Sequence, residues 1–470
     1  MADSKGLETY ILKDGIKVIE RFFDVPLDYS KPDGDKIRLF ARNMIPLKKL
    51  KSAEKECDLR YMLYLQGEVV VCMYQTKNPR TYNLLPGGPG FEVSLGAARR
   101  LAEEIHERGY QTIWLDQRGT GLSTPISADL LGNKSDQEKA NYLKNFRADN
   151  IVRDCEYVRD SLLSHNQDPS DRKWSLLGQS FGGFIALNYL SFFPDGLKEV
   201  FLTGGLAPIV DHPDPVYEKT IHRVATRNKI YYEKYPQGIP RIRNILAYLE
   251  NNDVALPNGG RLSVSRWLQL GMKFGMTNGI DEVHELVLRA NNDLELFGKL
   301  SYKLLQSVQD ASSFDANPIY AILQEAIYCQ GRASNWSAAR TVAKDHRFSW
   351  AQIKERQAEP VYFTGEMVFP DMFDDYAGLR PFKKAADILA GYDGWENLYD
   401  EKQLAKNEVK VTAASYYDDM YVDFDLAQET ARKVHGTEQF ITNQMFHDGL
   451  RLHTKEVIGK LFEISKREYA

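Results

Sequence analysis

Long apolar runs, paired cysteines and an excess of basic charge are all missing from this sequence, and each absence removes a class of protein. No stretch approaches the ~18 apolar residues of a membrane span, so no contact with a membrane is expected. The start, Met1 to Glu8, has no apolar core that a secretory signal would need. Four cysteines stand in 470 residues, at Cys57, Cys72, Cys155 and Cys329. None has Cys-x-x-Cys or metal-ligand spacing, so they are expected as buried, reduced thiols in a cytoplasmic protein without a metal. The net charge is −5 and the pI about 6.1, which leaves no basic footprint for nucleic acid. There is no internal repeat and no low-complexity segment.

What is present is ordinary globular composition, 43% hydrophobic and 27% charged. At 470 residues the chain exceeds one compact unit, so a large core with an inserted or second domain is expected. One stretch organises the rest. Trp174 to Leu177 is a short apolar run that reads as a buried strand. Gly178-Gln179-Ser180-Phe181-Gly182 follows, and then a helix whose first turn is small. Strand, tight turn and helix make the pattern of a nucleophile elbow. A nucleophile on a strained backbone needs small neighbours, which Gly178, Gly182 and Gly183 supply. The helix start then offers backbone N–H groups beside Ser180 to a developing oxyanion.

The chain on either side supports an α/β reading. Residues 16–48 alternate apolar and polar as antiparallel edge strands. Strands are expected at 61–67, 111–115, 174–177 and 199–204, with helices at 98–110, 150–163 and after the elbow. Strands alternating with helices indicate a parallel sheet. Asp116 and Arg118 lie in a charged, Gly-rich turn and read as structural. From Val216 to about Asp345 only helical periodicity appears, including 216–235, 242–249, 262–274 and 317–328. This reads as a cap over the carboxyl edge of the sheet. Residues 359–370 form a linker, and helices near 378–390 and 398–406 follow. The sheet then resumes with strands at 409–417 and 439–446, and a last helix covers 455–468. The expected division is a core of 1–207 and 376–470 with a helical cap of 208–375.

A serine hydroxyl needs a base, and the base needs an acid to fix its tautomer. In α/β-hydrolases these follow in the order Ser, Asp or Glu, His. Of the nine histidines, His447 follows a late strand and precedes a Gly turn. His106, His165, His222, His284 and His435 sit on helices or surface loops. The acid belongs at the end of the preceding strand, where Asp418, Asp419 and Asp423 compete; the residues alone slightly favour the first two.

Gly87-Gly88-Pro89-Gly90, Asp116 to Ser123 and Gly178 to Gly183 together resemble the proline iminopeptidase (prolyl aminopeptidase) family of α/β-hydrolase serine peptidases. Segments at 325–328, 365–367, 419–422 and 447–451 are similar to its larger members, so the resemblance covers about residues 20 to 455. It implies an α/β-hydrolase fold with an all-helical cap, Ser180 as nucleophile, Asp419 as acid and His447 as base. The N–H groups of Phe181 and Gly88 would form the oxyanion hole. The substrate would be a peptide with a free N-terminus, preferably proline, its amine held by cap carboxylates. Glu325 matches the family glutamate and Glu366 is the second candidate. No cofactor is expected. In this family a strand like 61–67 runs directly into the Gly-Pro-Gly turn, whereas here Glu68 to Gly87 intervene and Pro86 replaces the usual His or Gln. That stretch reads as an insertion, one a retained intron would produce, at the oxyanion hole. Two alternatives follow: an esterase or amidase on the same triad, or a binding protein whose catalysis the insertion impairs.

Overall fold

A computed structural model describes residues 8–50, 59–66 and 90–467. Among them, nine strands form one sheet in the order β1-β2-β3-β5-β4-β6-β7-β8-β9. These are β1 Glu8–Ile11, β2 Ile16–Pro26, β3 Lys36–Pro46, β4 Arg60–Leu65, β5 Tyr110–Asp116, β6 Trp174–Gln179, β7 Leu197–Thr203, β8 Lys410–Tyr416 and β9 Thr437–Thr442. The first three pair antiparallel, and β3 meets β5 antiparallel. From β5 to β9 every pairing is parallel. Both faces of this parallel part are covered, which is why β5 and β6 are buried at every position.

Alternation along the strands divides the interior into two layers. Met62, Tyr64, Trp114, Leu177, Phe201 and Tyr416 face helices α1 (Leu95–His106) and, at the end of the chain, Thr454–Ser465. Leu63, Leu65, Ile113, Leu176, Val200 and Leu202 face the opposite layer. There they pack on α2 (Ala148–Leu163) and α3 (Phe181–Phe192). That second layer runs on into the residues between β7 and β8. Between these two strands lie helices, turns and a single isolated bridge, Ala255 with Arg261. The longest helices there are α4 (Asp214–Lys234) and α5 (Gly279–Phe297). They are followed by α6 (Pro318–Leu323) and α7 (Ser337–Val342).

Some elements differ from the sequence reading. The helix expected over 317–328 ends at Leu323 and resumes as a 3-10 turn at Ala326–Tyr328. The Arg147 guanidinium donates to the carbonyls of Ala326 and Cys329, so tertiary hydrogen bonds replace the helical ones. The helix expected over 262–274 is α-helical only at Val264–Leu268 and 3-10 from Gln269 to Gly275. The last strand stops at Thr442, whose hydroxyl accepts the Gln444 N–H and turns the chain. Helix α1 ends at His106, and Tyr110 already belongs to β5. Cys155 and Cys329 are buried free thiols, while Cys57 and Cys72 lie outside the described residues.

Candidate active site

Ser180 sits between the end of β6 and the first turn of α3, at φ 52° and ψ −122°. This is the left-handed side of the map, which a non-glycine residue occupies at a cost. Its N–H donates to Thr203 O at 2.9 Å, fixing the elbow to β7. The elbow helix runs close under the sheet. A Cβ at Gly182 would lie 1.9 Å from Leu65 O, and one at Gly183 2.3 Å from Gly205 O. Ser180 is 7% exposed, so its hydroxyl stands at the edge of the interior. Phe181 is the first residue of α3, where helix N–H groups have no intrahelical acceptor.

Asp419 and His447 come to Ser180 from the loops after β8 and β9. His447 Nε2 lies 2.9 Å from Ser180 Oγ, and its Nδ1 lies 2.7 Å from Asp419 Oδ2. The second carboxylate oxygen of Asp419 accepts the N–H groups of Tyr421 at 2.8 Å and Val422 at 3.0 Å. Both side chains are buried. Gly204, at φ 52°, makes room for the imidazole, since a Cβ there would be 3.1 Å from His447 Nδ1. Of the competing acids, Asp418 is exposed, and Asp423 caps the following helix and pairs with Arg223 at 2.9 Å.

The residues read as structural have their own partners. Burial pushes the Asp116 carboxyl up to about 6, although it accepts the N–H groups of Val93 and Leu122. Arg118 is held by Asp154 through two bonds and by the carbonyls of Pro26, Leu27 and Asn145.

The two cap carboxylates have different surroundings. Glu325 is 6% exposed and lies in the turn after α6, not on a helix as expected. Its oxygens accept the N–H groups of Ser337 at 3.1 Å and Ala338 at 2.9 Å, at the start of α7. Glu366 keeps part of its surface open. Burial still pushes its carboxyl up to about 7; hydrogen bonds from Tyr320 and Gln324 and the charge of His447 pull it down, and Asp419 pushes it up. The Glu366 carboxyl is thus coupled by charge to His447 and Asp419. The Tyr320 hydroxyl donates to it at 2.5 Å. Nearby, Tyr217 Oη and Gln324 Oε1 are buried without a hydrogen-bond partner among the described residues. Sequence reasoning missed Tyr217, Tyr320 and Gln324, because nothing in their spacing marks them.

Gly88 and the stretch Glu68–Gly87 lie outside the described residues. At their flanks, the Gln66 amide donates to Glu92 O at 3.0 Å, so the two ends stand side by side. Gly90, at φ 109°, packs against α6, where a Cβ would lie 2.1 Å from Ile319 Cγ2.

A mostly parallel sheet with a strand–Ser–helix elbow, a late acid and a histidine after the last strand defines an α/β-hydrolase of the serine hydrolase class. The family described as alpha/beta hydrolase fold matches residues 84–242. A proline iminopeptidase of Aspergillus aculeatus is 41% identical over 446 residues, which cover 94% of this chain and 92% of that one. A proline iminopeptidase of Aeromonas sobria is 39% identical over 463 residues, covering 97% and 98%. The chain belongs to the proline iminopeptidase family. Among the described residues, no helix is long and apolar enough to cross a membrane.

Proposed function

We propose that this protein is a cytoplasmic serine aminopeptidase that releases an N-terminal residue, preferably proline, from peptides. The observation that carries the reading is the hydrogen-bond chain Ser180–His447–Asp419, with Glu366 in electrostatic reach of it. Residues 208–375 act as the cap, and 1–207 with 376–470 as the core. Ser180 Oγ attacks the carbonyl carbon of the first residue while His447 Nε2 takes its proton. Asp419 holds Nδ1–H and stabilises the imidazolium. The oxyanion is held by the N–H of Phe181 and, from the facing turn, that of Gly88. His447 returns the proton to the leaving amine, and an acyl-enzyme remains. Water then attacks with His447 again as base, the Ser180 ester bond breaks, and the free amino acid leaves.

Protonated, the secondary amine of an N-terminal proline carries two N–H donors, one fewer than a primary amine. Glu366 supplies a carboxylate for one of them, and Gln324 Oε1 and Tyr217 Oη, which have no partner among the described residues, offer acceptors for the other. Glu325, committed to the start of α7, supports this pocket from behind. Such a site favours one residue ahead of the scissile bond. Steady-state hydrolysis of a proline anilide against an aryl ester tests the reading. Turnover of the anilide, lost in Ser180→Ala, supports it; turnover of the ester alone would make the protein an esterase, and no turnover of either by folded protein would make it a binding protein.

A further inference from the structure

The base and the acid both sit on loops beyond the ends of strands, and loops do not hold geometry by themselves. Three contacts tie these loops to one short segment of the helical region, Met272–Thr277. The carboxylate of Asp448, next to His447, is fully buried. It accepts the Thr277 hydroxyl at 2.8 Å and the Thr277 N–H at 3.3 and 3.2 Å to its two oxygens. Tyr421 donates its hydroxyl to Met272 O at 2.5 Å, while its own N–H bonds Asp419 and its ring lies 4.7 Å from the His447 ring. Arg227 donates to Phe274 O at 2.8 Å and lays its guanidinium over the ring of Phe446, the residue before His447, at 4.6 Å.

The segment itself is tightly turned and closely packed. It turns through a 3-10 helix into Asn278 at φ 64°, and a Cβ at Gly279 would fall 1.7 Å from Lys273 O. At Gly275 a Cβ would meet the Tyr421 ring at 2.3 Å, so glycine there lets the ring seat directly on the turn. Thr277 and Met272 do not reach the triad; their hydrogen bonds reach the residues beside it.

We propose that Met272–Thr277 is a strap that holds His447 and Asp419 in attacking geometry, with Asp448 and Tyr421 as the positioning residues it acts through. The cap thereby assembles the base as well as covering the substrate, and a displacement of the strap would move the base away from Ser180. This inference rests on the triad reading but not on the proline preference.

The test compares Thr277→Val, Tyr421→Phe and their double variant, with Thr277→Ser as the conservative control. Each is assayed on the proline anilide and on the aryl ester, with melting temperature and the labelling rate of Ser180 by a fluorophosphonate probe. Misplacing a base by about an ångström costs roughly ten- to a hundredfold in rate. The expected result is a fall of about tenfold or more in kcat and in labelling rate in the double variant, alike on both substrates, with the anilide KM within about twofold of wild type. Thr277→Ser restores the rate. A lower melting temperature with kcat and labelling unchanged would overturn the proposal, as would a change confined to the anilide KM. If the double variant does not fold, Thr277→Val against Thr277→Ser decides by the same readings. The ester and the probe carry no amine, so an error in the proline preference shows in the anilide alone.

Discussion

Replacing Glu366 by glutamine should weaken turnover and strengthen the fold, both most strongly above pH about 7. Glu366 is partly open and raised to about 7, chiefly by burial, with Tyr320 donating to it. A charge-assisted bond to a substrate ammonium is worth about 1.5–3 kcal/mol, so Glu366→Gln should lower kcat/KM on a proline anilide by roughly 10- to 150-fold. The aryl ester should be nearly unaffected. Binding the amine requires the carboxylate ionised, so the wild-type anilide kcat/KM falls as pH drops through about 7. His447 imposes its own loss of base on both substrates. The logarithmic anilide profile should therefore fall with a slope approaching two, and the ester profile with a slope of one; in Glu366→Gln both slopes are one. Stability runs the other way. A carboxyl raised from 4.5 to about 7 is favourable to the fold below its unfolded value and loses that contribution as pH rises through about 7. The loss reaches about 3 kcal/mol at 1.36 kcal/mol per unit, an upper limit for a group that is partly open. Glu366→Gln should melt above wild type near pH ~8 and at nearly the same temperature near pH ~5. Equal losses on anilide and ester, or identical slopes in wild type and variant, would refute the reasoning.

Ser180→Gly should abolish hydrolysis and raise the melting temperature, because glycine relieves a backbone at φ 52° that costs serine about 1–3 kcal/mol. Glu325→Gln should leave the anilide KM within about twofold and lower stability by roughly 1–3 kcal/mol, since its oxygens serve the N–H groups of Ser337 and Ala338. A large KM increase would return it to the amine site. Arg118→Met strands the Asp154 carboxylate, fully buried with its partner, and should cost about 3–5 kcal/mol in denaturant unfolding.

Much of the site is local and therefore legible in the chain. An elbow must have small residues around a strained serine: Gly182 and Gly183 are where the close approaches to Leu65 O and Gly205 O occur, and a Cβ at Gly178 would lie 2.5 Å from Gly182 O. Alternating strands and helices indicate a parallel sheet because each crossover needs a helix's length of chain. The order Ser180, Asp419, His447 is also written in the sequence, since each stands just beyond a strand that runs to the same edge.

Other features are through-space and have no signature along the chain. Asp418 and Asp419 are neighbours, and only the turn after β8 decides that the second faces His447 while the first faces solvent. Glu325, read on a helix, and Glu366, in the 359–370 linker, both read as candidate carboxylates for the substrate amine, with Glu325 ahead. The fold commits the first to the start of α7 and leaves the second partly open, raised and coupled by charge to His447. The strap is of the same kind: Thr277 and Asp448 are 171 residues apart, and their hydrogen bonds exist only once the helical region is folded onto the sheet. Sequence fixes what each residue can donate, accept or strain; which partner it meets is settled by packing, because distance in space is not carried by distance along the chain.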